Sequence, residues 1–336
     1  MLQRINLAHG EGGELTYRLI KDVFEKAFGH GEHTKHDSAI FQCKPETIAL
    51  TTDSYVVKPI FFPGGNIGKL AVAGTVNDLA VSGAVPKFMT AGFIIEEGLP
   101  LKDLKEIVHS MADEAGKAGI RIIAGDTKVV EKGSADQLFI NTSGIGTVES
   151  GHKLQPKHIQ KGDSIILSGT IGDHGIAILS AREELGLLSD TVSDCASLNG
   201  LIQSLIHTID GIRILKDPTR GGLATALVEL CEDFHFNCEI NEGSIPIRND
   251  IHGACDILGY DPLYLANEGK MILLVDSKME EQALQVLRSH PLGENAAVIG
   301  QVTGTTNSAG KLYLKTPLGT TRSLQRLAGL MLPRIC

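Results

Sequence analysis

Tryptophan is absent, and aromatic residues make up only 4% of the 336-residue chain. Any interior must therefore be built mainly from aliphatic side chains. No apolar run reaches about 18 residues without a charge or a break, which excludes a sequence-evident membrane helix. The opening segment MLQRINLAHG has no basic start and apolar core, so no secretory leader is expected and the expected location is cytoplasmic. The six cysteines (Cys43, Cys195, Cys231, Cys238, Cys255, Cys336) include no C-x-x-C pair, so neither a zinc knuckle nor a dithiol redox motif is signalled. No G-x-G-x-x-G fingerprint occurs. The segment Pro63–Leu70 fails as a phosphate loop because proline takes the first glycine position and Leu70 the Ser/Thr position. Positive charge is also short: 31 Lys and Arg against 40 Asp and Glu give a net charge of −9, a poor match for nucleic acid or an anionic membrane.

What is present is an ordinary globular composition, 42% apolar and 21% charged, in a length that suits two domains. Leu15, Leu19, Val23 and Ala27 repeat every four residues and predict an amphipathic helix. Residues 47–57 are rich in β-branched side chains and predict a strand. Residues 67–82 are apolar around most of a helical circumference, which predicts a buried helix. A further helix is predicted around Leu104–Ala115, and strands at 121–124 and 138–148. Polar residues at 150–163 mark a boundary. Beyond it, strands at 164–168, 271–276 and 296–302 alternate with helices near 174–185, 222–234 and 279–289. The expected fold class is α/β (α+β). The expected divisions are 1–150, 151–318 and a tail at 319–336.

Acids beside glycine, where strands are expected to end, form the clearest chemical signal. Asp53 follows LTT, Asp126 follows RIIAG, and Asp78 interrupts an apolar helix. A buried carboxylate needs a cation or hydrogen-bond donors. Converging carboxylates suit magnesium, which takes a few of them plus phosphate oxygens. Capping and turn formation would equally account for Asp53 and Asp126 taken singly. Gly10, Gly12 and Gly13 precede the first helix, where exposed N–H groups can cradle phosphate or merely form a turn. Asp217 and Arg220 occupy a strand–glycine–helix junction, and His174 another. Glu268 stands beside a glycine before a strand. His30, His33 and His36 share a polar loop that reads as a solvated cluster or a metal site. The chain ends on Cys336, a thiol placed where a chain end can carry a group.

These segments (HGEGG, LTTDSYVVKPIFFPGGNIGKLAVAGTVNDLAVSGA, FIIEEG, AGDTKVV, INTSGIG, SGTIGDHG, SDCASL, DPTRGGL, DPLYLANEGK and the terminal PRIC) resemble, in order, the HypE family of hydrogenase maturation factors. That family falls within the PurM-like ATP-binding superfamily of aminoimidazole ribonucleotide synthetase, selenophosphate synthetase and thiamine-monophosphate kinase. The resemblance implies a two-domain PurM-like fold whose N-terminal domain adds strands to a barrel shared across a homodimer. It implies a HypF-type carbamoyltransferase that loads Cys336, ATP-dependent dehydration of the S-carboxamide to an S-cyanate, and a HypC–HypD complex as cyano acceptor.

On that reading ATP and Mg2+ are required. Asp53, Asp78 and Asp126 are expected on the metal, with Asp217 as a further member. Gly10, Gly12, Gly13, Thr127, Asn141 and Arg220 are expected on the nucleotide. Lys128 would neutralise the transferring phosphoryl group, and Glu268 or His174 would take protons from the carboxamide nitrogen. The alternatives are a small-molecule kinase or synthetase of the same superfamily, or a non-catalytic assembly scaffold. The apolar segment 316–332 is expected to rest on a groove.

Overall fold

A computed structural model describes residues 13–19, 21–22, 39–43, 46–149, 154–182 and 190–327. The first unit opens with α1 (Glu14–Leu19), β1 (Ala39–Cys43) and β2 (Glu46–Tyr55). A small hairpin, β3 (Phe61–Phe62) and β4 (Gly65–Asn66), leads into α2 (Ile67–Val81), β5 (Val85–Glu96), α3 (Leu101–Ala118), β6 (Arg121–Val130) and β7 (Leu138–Val148). The sheet order is β1-β2-β7-β5-β6. Only β5 and β6 run parallel, joined through α3, as a crossover helix requires.

The Pro63–Leu70 segment is the turn and second strand of the hairpin followed by the first turn of α2. The Asn66 side chain accepts from the N–H groups of Gly68 and Lys69 at 2.9 and 3.1 Å, the usual work of an asparagine N-cap. α2 is buried nearly all round, as its composition predicts. It packs on the sheet, on α3 and on the second unit.

The second unit comprises β8 (Ser164–Leu167), α4 (Asp173–Ala181), α5 (Asn199–Thr208), β9 (Ile212–Lys216), α6 (Gly222–Asp233), β10 (Phe236–Asn241), α7 (Asn249–Leu258), β11 (Ile272–Val275), α8 (Glu280–Arg288), β12 (Ala297–Thr305), β13 (Leu312–Lys315) and β14 (Thr321–Leu324). Its seven strands run β14-β13-β10-β12-β8-β11-β9. One core cluster includes Leu223 and Leu227 of α6. A second joins Leu201 and Leu205 of α5 to Leu287 of α8, and also takes in Ala80 and Val81 of α2. The two units thus share a continuous apolar seam. β8 and β11 are buried along their whole length, which explains their unbroken aliphatic runs.

Two boundaries differ from expectation. β6 runs on through Asp126 to Val130, because Gly125 lets the strand pass Ala91: a Cβ there would stand 2.4 Å from the Ala91 carbonyl oxygen. Asp126 is therefore mid-strand. At the other end the chain stays in the second sheet to Leu324, where β14 pairs antiparallel with β13. Position 319 thus precedes the last strand. Leu324, Arg326 and Leu327 are buried, so the described start of the apolar C-terminal segment rests on the body as expected.

Candidate active site

Alternation along β2 sends Thr51, Asp53 and Tyr55 toward α2. The Asp53 carboxylate accepts from the Tyr55 and Thr75 hydroxyls, each at 3.2 Å. The Thr51 hydroxyl donates to Asp78 at 2.8 Å. Gly74 makes room for this cluster, since a Cβ there would sit 2.3 Å from the Tyr55 hydroxyl. The loop after β9 adds Asp217, Thr219 and Arg220, and the loop before β11 adds Glu268. With Ser54 they line one small pocket of about 50 Å³ between the two units.

The electrostatics are those of four acids facing one guanidinium. Burial raises the Asp53 pKa above its ordinary value, and Arg220 works against it. Burial, then the charges of Asp217 and Asp194, pushes Glu268 well above the usual carboxyl range, again opposed by Arg220. One oxygen of Glu268, Oε1, is buried without a hydrogen-bond partner among the described residues. Such an arrangement is costly unless a ligand completes it. Burial and the Asp53 charge also drive the Tyr55 phenol well above its usual value, so it stays a donor.

Asp126 and Lys128 lie elsewhere. Ser54 pairs with Asn141 on β7, Asn141 with Gly92 on β5, and Gly92 with Asp126 on β6. Paired residues share a face. Asp126 and Lys128 are therefore on the face opposite Asp53, in a mainly apolar cavity of about 380 Å³ with Ser54, Phe93, Phe139 and Asn141. The Lys128 ammonium stands 3.2 Å from Asp126, whose pKa it lowers. The expected set of Asp53, Asp78 and Asp126 thus does not converge within one chain; Asp217 joins the first two instead.

Asn141 donates to the Asp53 carbonyl at 2.8 Å and to the Ser54 hydroxyl at 3.0 Å, which braces β2 beside the pocket. Thr127 is exposed on the edge strand. His174 is fully buried, bonded through Nδ1 to the Ser193 hydroxyl at 2.8 Å and set edge-on to Phe62. It is absent from the pocket lining, so its expected role in proton removal gives way to a packing role. Gly13 meets the start of the tail: a Cβ there would stand 2.0 Å from the Leu327 carbonyl oxygen. Gly10, Gly12, Cys336 and the loop of His30, His33 and His36 lie outside the described residues. Tyr55, Thr75, Asn77 and Asp194 were not anticipated. Asn77 had the same signal as Asp78, a polar side chain in an apolar helix.

Among the described residues no three His, Cys, Asp or Glu side chains stand close enough to hold a metal ion unaided. The carboxylates of Asp53, Asp78 and Asp217 are hard oxygen donors. One or two of them suffice for a magnesium ion that arrives with phosphate oxygens filling the rest of its shell. No helix among the described residues is long and apolar enough to cross a membrane.

Residues 35–148 match the N-terminal domain, and residues 160–312 the C-terminal domain, of the AIR synthase related protein family. The chain is 44% identical over 333 residues to the carbamoyl dehydratase HypE of Azotobacter vinelandii, covering 99% of this chain and 97% of that one. It is similar to the crystal structure of a HypE–HypF complex, with a TM-score of 0.85 and 48% identity over 92% of this chain and 99% of that chain. It is also similar to a HypE crystallised in complex with ATP, with a TM-score of 0.83 and 44% identity over 99% and 100% of the two chains.

Proposed function

The chain belongs to the HypE family, and on that premise we propose that it is an ATP-dependent carbamoyl dehydratase acting on an S-carboxamide carried by its own Cys336. The observation that carries the assignment of the site is the pocket of Asp53, Asp78, Asp217, Arg220 and Glu268 at the seam between the units.

An amide oxygen is a poor leaving group. Moving the γ-phosphoryl of ATP onto that oxygen makes it a good one. Loss of two N–H protons and departure of phosphate then leave S–C≡N, with ADP and phosphate as the other products. Phosphoryl transfer asks the protein mainly for positioning and charge neutralisation. Arg220 faces the transferring group from within the pocket; Lys128, on the opposite face of the sheet, does not line that pocket within one chain. Glu268, buried and with its pKa raised, takes a proton from the carboxamide nitrogen. Magnesium, held by one or two carboxylates among Asp53, Asp78 and Asp217 together with phosphate oxygens, would neutralise phosphate charge.

The setting we infer is a homodimer in the cytoplasm, where ATP is supplied. Leu50, Ile145 and Phe88 form one exposed row across the first sheet. Among the described residues β6 is an open edge, with Ile122, Ile123 and Val129 exposed. An apolar face and a bare edge suit a barrel closed by a second copy. A HypF-type carbamoyltransferase loads the thiol, and a HypC–HypD complex accepts the cyano group. The nucleotide-binding unit extends to about residue 150 and the second unit beyond it, with the carrier tail after the last strand.

Cys336→Ala should bind ATP as the unaltered chain does and yield no thiocyanate after incubation with carbamoyltransferase, carbamoyl phosphate and ATP. Thiocyanate from that variant would contradict the carrier role. Turnover of a free small molecule, indifferent to Cys336, would favour a kinase of the same superfamily.

A further inference from the structure

Asn77 lies on α2 one residue before Asp78, is buried, and is not among the residues lining the pocket. Its amide uses both ends. Nδ2 donates to the carbonyl of Ala196 at 3.1 Å and to that of Glu268 at 3.4 Å, and Oδ1 accepts from the Leu198 N–H at 2.7 Å. The Glu268 backbone is held from its other side as well. Its N–H donates to Asp194 Oδ1 at 3.1 Å, and its carbonyl also accepts from the Ala196 N–H at 3.3 Å. Gly269 allows this approach: a Cβ there would stand 1.9 Å from the Asp194 carbonyl oxygen. Asp194 in turn pairs with Lys270 at 3.4 Å. Glu268 and Asp78 come from different units, yet both face one pocket. Asn77 is the side chain that ties the backbone of one to the helix carrying the other.

We propose that Asn77 is a positioning residue for the dehydration: its amide fixes the Glu268 loop against α2, so that the Glu268 carboxylate faces the groups held by Asp78. The proposal rests on the reading of Glu268 as the proton acceptor. Only an asparagine-length amide offers a donor to two carbonyls and an acceptor to an N–H from this point on the helix. A misplacement of about 1 Å in such a group is enough to slow a positioned reaction by orders of magnitude.

The test uses the full chain, carbamoylated at Cys336 by a HypF-type carbamoyltransferase and carbamoyl phosphate, with conversion to the cyanate followed by mass in a single turnover. Asn77→Ala should keep the ATP concentration for half-maximal rate within about threefold, while the rate at saturating ATP falls about tenfold or more. In a Glu268→Gln background, the same substitution should cost no more than about twofold. A purely structural role predicts losses that multiply, or a rate that falls only with the folded fraction. Either result overturns the proposal, as does an Asn77→Ala rate within about twofold of the unaltered chain. A slow Glu268→Gln beside a fast Asn77→Ala removes the role of Asn77 alone. An unimpaired Glu268→Gln removes the proton-acceptor reading, and the role of Asn77 with it. If Asn77→Ala does not fold, Asn77→Ser, which leaves a hydroxyl and room for water, carries the same comparison.

Discussion

Asp53 and Asp126 occupy adjacent rows of one sheet and point to opposite faces. Asp53 pairs with Thr142 and faces α2; Asp126 pairs with Gly92 and shares the other face with Asn141 and Ser54. The first is crowded by Tyr55, Thr75 and Asp78. The second meets solvent and Lys128. Their titration is displaced in opposite directions, Asp53 upward by burial and Asp126 downward by its lysine.

This contrast predicts different stability effects in the absence of nucleotide. A carboxyl whose pKa is raised on folding costs stability once the pH exceeds its unfolded value. Asp53→Asn removes that cost and should raise the melting temperature at neutral pH by on the order of 3 °C, while abolishing the further rise that MgATP gives. Asp126→Asn should leave the nucleotide-free melting temperature nearly unchanged. Thermal scans with and without MgATP check both.

Glu268 gives a pH dependence of definite sign. Its pKa lies well above the ordinary value of 4.5. Below that ordinary value both folded and unfolded chains carry the proton, and nothing is lost. Above it the folded chain holds a proton that the unfolded chain has released, so stability falls as pH rises through the window up to the folded pKa. Glu268→Gln should therefore melt higher than the unaltered chain, and by more at pH 8 than at pH 5. Dehydration should rise with pH as Glu268 loses its proton, and the residual rate of Glu268→Gln should lack that rise.

Phe88, Ile145 and Leu50 form a row on the open face of the first sheet, each 39–42% exposed. A lysine there would place a charge in the middle of the proposed subunit contact. Ile145→Lys should sediment as a monomer at micromolar concentration, where the unaltered chain sediments as a dimer. Its melting temperature should then lose any dependence on protein concentration.

The last described residues, Arg326 and Leu327, are held at a defined point. Arg326 pairs with Glu229 at 3.0 Å and Glu232 at 2.6 Å, and its guanidinium lies 4.0 Å from the Tyr17 ring centroid. The Leu327 carbonyl accepts from Glu14, and its N–H donates to Thr225. Cys336 is the ninth residue beyond Leu327, a reach of at most about 30 Å when extended. Arg326→Gln loosens that anchor. ATP affinity should be unchanged, and dehydration of the loaded tail should slow by on the order of tenfold.

Much of the fold was legible where a pattern had one physical meaning. The near-uniform apolar surface of α2 required burial, and the aliphatic runs of β8 and β11 required cover on both faces. The short strands β10, β13 and β14 were missed because β10 alternates Phe236, Cys238 and Ile240 with polar residues over only six positions, and β13 and β14 have four residues each, too few for a pattern to stand out. Asp53, Asp78, Asp217, Arg220 and Glu268 were all named from charge set beside glycine or in apolar surroundings, and they meet in one pocket. The grouping of Asp126 with them failed because local sequence shows that an acid lies in or near a strand, whereas the face it takes depends on register with β5. His174 looked reactive beside a glycine. Its burial against Phe62 and Ser193 is a tertiary fact.

The most direct test of the carrier thiol and the dehydration together is the intact mass of the protein. The chain is first loaded by carbamoyltransferase and carbamoyl phosphate, then given fresh MgATP. The expected record is a gain of about 43 Da on the C-terminal peptide, followed by a loss of about 18 Da that requires ATP. A gain at Cys336 that persists with ATP bound would contradict the dehydratase, and no gain at Cys336 at all would contradict the carrier.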